Sequence, residues 1–194
     1  MTNGDGSGLR ARTRRAVRAE LAATAIGLFV ERGFDDTTVD DIAAAAGVSR
    51  RSFFRYFPSK EDAVFGDAED VAGRVADAVT ARPAGEPPWE CLRAVLHDWR
   101  EPIRAAHPDP ALLRLIETTP ALRARLHVKR EQMRERIAAA LLARGGLDAF
   151  TADLLTGAAG AALDAANRAW LRSDGALDHA ELLDRAFTAL RPQS

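Results

Sequence analysis

The sequence has little of what would cross-link a protein or anchor it in a membrane. It contains a single cysteine, Cys91, which excludes an intrachain disulfide. This residue lies in an apolar helical pattern, which favours a buried structural thiol over a redox sensor. No apolar run approaches the roughly 18 residues that are needed to cross a bilayer, and the polar, glycine-rich start lacks the order of a signal peptide. We therefore expect a cytoplasmic protein without a membrane partner.

Residue groups that are typical of enzymes and metal sites are also missing. The sequence has no glycine-rich phosphate loop, no nucleophile elbow and no clustered carboxylates. Its four histidines are scattered, and none forms a pair at the spacing of metal ligands. We therefore expect no enzyme activity, no cofactor and no metal site.

Alanine, leucine and arginine dominate the sequence, and runs of β-branched residues are absent, so we expect an all-α fold. Glycine and proline divide the chain into about nine helices. Two short helices, at residues 39–46 and 50–57, flank Gly47. A cap at Ser59 starts a longer helix that is expected to reach about Thr80.

Charge is distributed unevenly along the chain. Residues 1–60 hold ten basic and seven acidic side chains, a net charge of +3, so the remaining residues sum to −4 within the total of −1. A basic N-terminal region suggests a polyanionic partner, although a solvated charged face gives the same pattern. The start of this region is expected to be a disordered basic leader at residues 1–12.

Two short helices that are joined by a glycine turn form a helix-turn-helix when their inner faces share a core. Gly47 can adopt the positive φ that a bulkier residue resists. Arginines near the start of the second helix can reach guanine edges in the major groove, and serine can hold phosphates. The residues expected to face inward are Ile42, Ala43, Ala46, Val48, Phe53 and Phe57. The residues expected on the outer face are Arg50, Arg51, Ser52, Phe54 and Arg55.

Three stretches in this region carry a resemblance to a known family. Residues 34–43 are FDDTTVDDIA, residues 46–49 are AGVS and residues 53–62 are FFRYFPSKED. In this order they resemble the TetR family of bacterial repressors. The run at 49–62 is also similar to a subgroup that includes the mycofactocin-system regulators, which are linked to long-chain acyl-CoA-type effectors.

The resemblance implies two domains and a set of DNA contacts. An N-terminal three-helix helix-turn-helix domain would occupy residues 13–58, and a C-terminal helical ligand-binding and dimerisation bundle would occupy residues 59–194. Ser49, which can cap the second short helix, is expected among the DNA contacts. The implied groove-facing residues are Arg50, Arg51, Ser52 and Arg55. The implied phosphate contacts are Thr38, Tyr56 and Lys60.

The sequence departs from the family pattern at two of these positions. Phe54 stands where tyrosine is common, so the hydroxyl is lost, but its ring can still pack against a thymine methyl or a sugar. Arg51 stands where glycine is frequent and adds a charge that can make a second guanine contact. A basic arm precedes the domain, and it either contacts phosphates and the minor groove or stays solvated. Its residues are Arg10, Arg12, Arg14 and Arg15.

The last two long helices are the candidates for a dimer interface. Residues 157–162 are GAAGAA, and small side chains let another helix approach closely. Two copies of both helices would form a four-helix interface, whereas burial within one chain is the alternative. The residues expected at the interface are Leu154, Leu155, Ala158, Ala162, Leu183 and Phe187.

Apolar stripes in the C-terminal bundle favour a ligand pocket that is mostly apolar. One stripe includes Leu92 and Leu96, and another includes Leu122, Leu126 and Ile137. Each expected ligand contact has a plain alternative as a core or surface residue. The expected contacts are Trp99, Met133, Asn167 and Trp170, with Arg104 or Arg130 as an anchor for an acidic group.

The sequence thus predicts a homodimeric transcriptional regulator. Its expected partners are palindromic double-stranded operator DNA and a small, largely apolar effector, acyl-CoA-like or otherwise, that releases a repressor from the DNA. Activation instead of repression stays open. A constitutive regulator without an effector, and a helical enzyme or protein-interaction module, are the alternatives.

Overall fold

A computed structural model describes the backbone of residues 5–66, 68–105 and 110–191, and side chains over 12–66, 71–99, 111–112 and 114–191. Regular structure in these residues is α-helical throughout, which confirms the predicted all-α fold. None of the described helices combines the length and the apolar character that crossing a bilayer requires. The helices are α1 (Asp5–Arg32), α2 (Val39–Ala45), α3 (Arg50–Tyr56), α4 (Lys60–Val64), α5 (Ala68–Ala81), α6 (Pro88–Ala105), α7 (Pro110–Thr118), α8 (Pro120–Ala143), α9 (Ala149–Arg172) and α10 (His179–Ala189).

The described residues form ten helices instead of about nine, because the single helix predicted from Ser59 to about Thr80 is interrupted. It consists of α4 and α5, and Gly66 lies between them with a φ of +38°. This φ is outside the range of a right-handed helix. The Gly66 carbonyl accepts a 2.8 Å hydrogen bond from Nη2 of Arg18 on α1. A side chain of another helix therefore bonds the backbone where the helix is interrupted.

The first helix starts earlier than the sequence predicted. α1 begins at Asp5, although residues 1–12 were expected to be disordered. For residues 5–12 this expectation is corrected. Leu9, Arg10 and Ala11 are strong helix formers, and each residue added to an existing helix gains a hydrogen bond without a new nucleus. Residues 1–4 lie outside the described part of the chain.

The chain divides into two compact units. Unit 1 comprises Met1–Ala68 and Asp109–Val128, and unit 2 comprises Glu69–Pro108 and Lys129–Ser194. This differs from a division between residues 58 and 59, because α4, α7 and the start of α8 join the N-terminal helices. Leu112, Ile116 and Leu122 are buried in the core of unit 1.

The core of unit 1 holds the helix-turn-helix together. Leu21, Leu28 and Phe29 come from one face of α1, and Phe53 and Phe57 come from α3 and its end. Both of these α3 phenylalanines are fully buried, and each burial contributes roughly 1.5–3 kcal/mol. Ile42 and Ala43 of α2 are buried as well, so most of the predicted inner face is confirmed.

The core of unit 2 is built by residues of α5, α6, α8, α9 and α10. Trp89 packs on Phe187 with ring centroids 4.6 Å apart, and its indole N–H donates a 3.3 Å hydrogen bond to the Phe187 carbonyl. Cys91 is fully buried, and this burial raises the pKa of its thiol. The structural thiol that the sequence favoured is therefore confirmed.

Candidate nucleic-acid interface

The turn between α2 and α3 has the geometry that the sequence predicted. Gly47 has a φ of +65°, in the left-handed region that glycine adopts without steric cost. The next amide, of Val48, donates a 2.9 Å hydrogen bond to the Ala43 carbonyl and closes the end of α2. Val48 also packs against the core of unit 1. The direction in which α3 leaves the turn is therefore fixed by both backbone and core contacts.

Thr38 and Asp41 form a reciprocal cap at the start of α2. The Asp41 amide donates to Oγ1 of Thr38 at 3.2 Å, and the Thr38 amide donates to Oδ2 of Asp41 at 2.8 Å. The Thr38 hydroxyl also donates to this carboxylate, and these bonds hold the pKa of Asp41 below its usual value. Thr38 is exposed, so its contact with a phosphate stays a prediction.

Ser49 caps the start of α3. Its Oγ accepts a 3.1 Å hydrogen bond from the Ser52 amide and lies 3.0 Å from the Ser52 hydroxyl. The cap satisfies one of the amides that an isolated helix leaves without a partner at its start. Ser49 and Ser52 therefore order the end of α3 that carries the arginines.

Arg50 and Arg51 differ in their surroundings although they are neighbours. Nη1 of Arg50 donates a 2.7 Å hydrogen bond to Oδ2 of Asp40, and its guanidinium lies 5.7 Å from the centroid of the Phe54 ring. Arg51 is exposed, and no described side chain forms a hydrogen bond or ion pair with it. Among the described residues, Arg50 therefore has two partners and Arg51 has none.

The C-terminal half of α3 presents Phe54, Arg55 and Tyr56. Phe54 is 44% exposed, which leaves much of the ring uncovered. Nη2 of Arg55 donates a 3.2 Å hydrogen bond to the Tyr56 hydroxyl, and its guanidinium lies 5.0 Å from that ring. The predicted groove-facing residues are thus brought together on the outer side of one short helix, and their contacts with DNA stay a prediction.

Lys60 has a role that the sequence did not predict. Nζ donates hydrogen bonds to the carbonyls of Phe34, at 2.8 Å, and Thr37, at 3.1 Å. It also lies 4.2 Å from the centroid of the Phe34 ring. Two of the three ammonium donors therefore fix the connection between α1 and α2, which leaves one for the implied phosphate contact.

The basic arm lies at the start of α1. Arg12, Arg14 and Arg15 are exposed there, whereas the side chain of Arg10 lies outside the described residues. Arg18, one turn further, faces the core instead, with its guanidinium 5.1 Å from the centroid of the Phe57 ring. The DNA contact of the arm stays a prediction.

The predicted ligand residues of unit 2 fall into separate groups. Asn167 and Trp170 both contact His179. Oδ1 of Asn167 lies 2.7 Å from Nε2 of His179, and the Trp170 and His179 rings meet edge-on with centroids 6.4 Å apart. Trp99 and Met133 are half-buried against the core of unit 2. The side chain of Arg104 lies outside the described residues.

Other expectations for the ligand site are altered by the structure. Arg130 forms a 3.1 Å ion pair with Asp164 and is half exposed. Leu122 and Leu126 belong to the core of unit 1, whereas Ile137 belongs to unit 2, so the stripe predicted on α8 serves two cores. A surface depression lies on α10, and none of the predicted ligand residues lines it. Its lining residues are Asp178, Ala180, Glu181, Asp184, Arg185, Thr188 and Ala189.

The predicted dimer residues are corrected in part. Ala162, Leu183 and Phe187 are fully buried in the core of unit 2, so they offer no surface to a second chain. Their helix faces pack against other helices of the same unit, as α9 and α10 do along much of their length. Leu154 is 58% exposed and stays a candidate, and Leu155 and Ala158 are half-buried.

Two residues with distinctive environments were missed by sequence reasoning. Asp40 forms an ion pair with Arg50. The sequence feature that could have indicated this pair is an acid ten positions before an arginine, with a tight turn between them. Thr156 is buried among alanines of α9, and its hydroxyl has no hydrogen-bond partner among the described residues. Its signal was a single polar residue on the core-facing side of α9.

This arrangement, a capped pair of short helices with an exposed arginine face, defines a helix-turn-helix DNA-binding protein. The family model for bacterial regulatory proteins of the tetR family matches residues 21–64, and that for the MftR C-terminal domain matches residues 86–194. The chain therefore belongs to the TetR family of transcriptional regulators and has an MftR-type C-terminal domain.

Known relatives agree with this assignment. The regulator TcmR from Streptomyces glaucescens is 34% identical over 97% of this chain and 89% of its own length. The repressor KstR2 from Rhodococcus jostii (strain RHA1) is 36% identical over 49% of this chain and 47% of its own length. The crystal structure of Thermus thermophilus FadR, a TetR-family repressor in complex with lauroyl-CoA, has a TM-score of 0.57 at 25% identity and covers 89% of this chain and 92% of that chain.

Proposed function

We propose that this regulator is a repressor that binds a palindromic operator as a dimer and leaves it when an apolar effector binds unit 2. The observation that carries the DNA-binding part is the exposed face of α3, where Arg51 has no partner in the described residues and Arg50 and Arg55 are exposed beside it. Arginine can bind guanine N7 and O6 with two parallel hydrogen bonds. In a dimer, two such helices would read half-sites roughly 34–36 Å apart.

The DNA-binding part is tested by selecting bound duplexes from a random pool at about 100 mM salt. We expect the wild type to enrich a palindrome and the double variant Arg50→Ala/Arg51→Ala to enrich none, because each lost arginine removes base or phosphate contacts. Arg185→Ala, an exposed arginine on α10, is the control and should keep the palindrome. A folded wild-type dimer that enriches nothing would refute the proposal.

Arg51 has a separate expected signature. Since no described side chain orients Arg51, we infer that it contacts phosphate rather than a base, and replacing it should weaken binding about equally for all sequences. Arg51→Ala should also lower the slope of log K against log salt by about 1. Affinity measurements on operator and random DNA at several salt concentrations check this. A loss of base preference at one operator position would instead make Arg51 a base reader.

The dimer is proposed to form through the outer face of α9. Phe150 is 74% and Leu154 is 58% exposed, although both are large and apolar. They are followed at helical spacing by the small residues Gly157, which is half-buried, and Ala161 and Ala165, which are exposed. Small side chains allow a close helix approach. These five residues, called the α9 outer stripe, replace the buried part of the interface that the sequence predicted.

The effector is proposed to be an acyl-chain molecule of the acyl-CoA type. The MftR-type domain, the sequence resemblance and the lauroyl-CoA bound to the related FadR support this class. The test titrates lauroyl-CoA into the complex of the regulator with its selected operator, with free coenzyme A as the control. We expect release by lauroyl-CoA only. Binding of DNA that persists with lauroyl-CoA would remove this effector class and favour a constitutive regulator or another ligand.

A further inference from the structure

The guanidinium of Arg50 is held by two side chains. Nη1 donates a 2.7 Å hydrogen bond to Oδ2 of Asp40, which lies on α2 across the glycine turn. Cζ lies 5.7 Å from the centroid of the Phe54 ring, within the range of a cation–π contact. Together these contacts restrict a long side chain that would otherwise sample many rotamers and would lose that freedom on binding.

The ring of Phe54 is itself supported by the core. It meets Phe53 edge-on, with ring centroids 5.7 Å apart and an interplanar angle of 87°. Phe53 is fully buried, so its position is fixed by its neighbours in unit 1. Arg50 is therefore linked to the core of the unit through two aromatic rings.

Arg50 keeps most of its capacity to donate hydrogen bonds. A guanidinium has five N–H donors, and the bond to Asp40 uses one of them. The side chain is 61% exposed, so the remaining donors are open to a ligand. Guanine presents two acceptors in the major groove, N7 and O6. Arg50 can therefore contact a guanine while it stays bound to Asp40.

Asp40 contributes no donor of its own and would repel phosphates. Its side chain is 64% exposed, and an exposed ion pair of this kind contributes little to the stability of a fold. The pair therefore has little effect on folding, but it restricts the position of the Arg50 guanidinium on the exposed face of α3. A carboxylate that only weakened DNA binding would lower affinity for all sequences equally.

We infer that Asp40 is a positioning residue that, together with the ring of Phe54, orients Arg50 toward one guanine in each operator half-site. This inference rests on the proposed function. Base preference is thereby concentrated on the oriented Arg50, whereas Arg51, which has no partner among the described residues, adds affinity without preference. A competing interpretation is a lock, in which Asp40 withholds Arg50 from DNA until the ion pair breaks.

The test measures binding to the selected operator and to all single-base substitutions in one half-site. It compares the wild type, Asp40→Asn, Arg50→Ala and the double variant, and thermal unfolding confirms that each is folded. We expect Asp40→Asn to reduce the preference for guanine at one position by about tenfold. In the Arg50→Ala background the same change should have no effect on preference, since Asp40 acts through Arg50.

Asp35→Asn is the matched control, because it removes the same charge from an exposed residue of the same unit. It should leave every base preference unchanged. The inference is overturned if Asp40→Asn keeps the guanine preference, and tighter binding to all sequences with unchanged preference would establish the lock instead. If the wild type selects no sequence, the proposed function itself fails and this inference falls with it.

Discussion

Arg144, which follows α8, shows how one side chain can order a connection. Nη1 donates to the carbonyls of Val79, at 3.1 Å, and Arg82, at 2.9 Å, and Nη2 donates to those of Pro83, at 2.8 Å, and Glu86, at 3.1 Å. Carbonyls at the end of a helix lack intrahelical partners. Arg144 therefore supplies hydrogen-bond donors to backbone carbonyls at the end of α5 and in the loop that leads to α6.

Replacing Arg144 should destabilise the protein. Arg144→Ala is expected to lower the free energy of unfolding by about 2–3 kcal/mol, since hydrogen bonds to charged groups contribute about 1.5–3 kcal/mol and this site is partly solvated. Arg144→Lys should recover only part, because an ammonium cannot match the planar fork. Urea unfolding measures both. Arg168→Ala, an exposed arginine on α9, should change stability by less than about 0.5 kcal/mol, and equal stability of the lysine variant and wild type would contradict the argument.

Thr156 gives a prediction of the opposite sign. Its side chain is buried, and its hydroxyl has no partner among the described residues. A buried hydroxyl without a hydrogen bond costs about 1–3 kcal/mol, so Thr156→Val, which keeps the shape, should raise the unfolding free energy by about 1 kcal/mol. The control is Thr188→Val, because Thr188 is exposed and donates a 2.8 Å hydrogen bond to the Asp184 carbonyl. Destabilisation by Thr156→Val would mean that the hydroxyl has a partner in solution, such as a bound water or effector.

At the scale of elements, helix ends decide the functional geometry. α2 and α3 have seven residues each, too few to be stable alone, so their caps and their shared core define them. Gly47 joins them with a φ of +65°, and a Cβ there would meet no atom within 4 Å apart from those of Gly47 itself and its chain neighbours. The constraint at this position is therefore backbone conformation and not space.

Two glycines should respond oppositely to the same substitution. Gly47→Ala is expected to cost about 1–2 kcal/mol, because a left-handed φ brings Cβ close to the following carbonyl. Gly27→Ala, inside α1 and equally open, should stabilise the protein by about 1 kcal/mol through helix propensity. Thermal and urea unfolding compare the two. A stabilising Gly47→Ala would show that the turn has another conformation in solution.

At the scale of the whole molecule, the proposed dimer depends on the α9 outer stripe. Leu154→Glu would place a charge within this stripe, and a buried unpaired charge is strongly unfavourable, so we expect monomers. Leu177→Glu is the control, because Leu177 is 49% exposed in the turn between α9 and α10 and lies outside the stripe. Analytical ultracentrifugation measures the mass. A monomeric Leu154→Glu variant should also lose operator binding. A variant that stays dimeric would place the interface elsewhere.

Local features were predictable from the sequence because their causes lie within a few residues. The cap at Thr38 and the turn at Gly47 depend on neighbours that are close in the chain. The helix-turn-helix is therefore evident from the sequence, and so is the exposed arginine face of α3. The break at Gly66 was missed, because its carbonyl is bound by Arg18, 48 positions away.

What the sequence alone determined is the all-helical class, the order of the helices and the family, since periodicity, caps and the motif at 34–62 are properties of short segments. Tertiary structure alone decided which partner each face or charge finds. It assigned Leu122 to one core and Ile137 to another, buried Phe187 while exposing Leu154, and placed Asp40 against Arg50. An apolar or charged side chain specifies that it needs a partner but not which one, because hydrophobic burial and charge attraction do not depend on where in the sequence the partner lies.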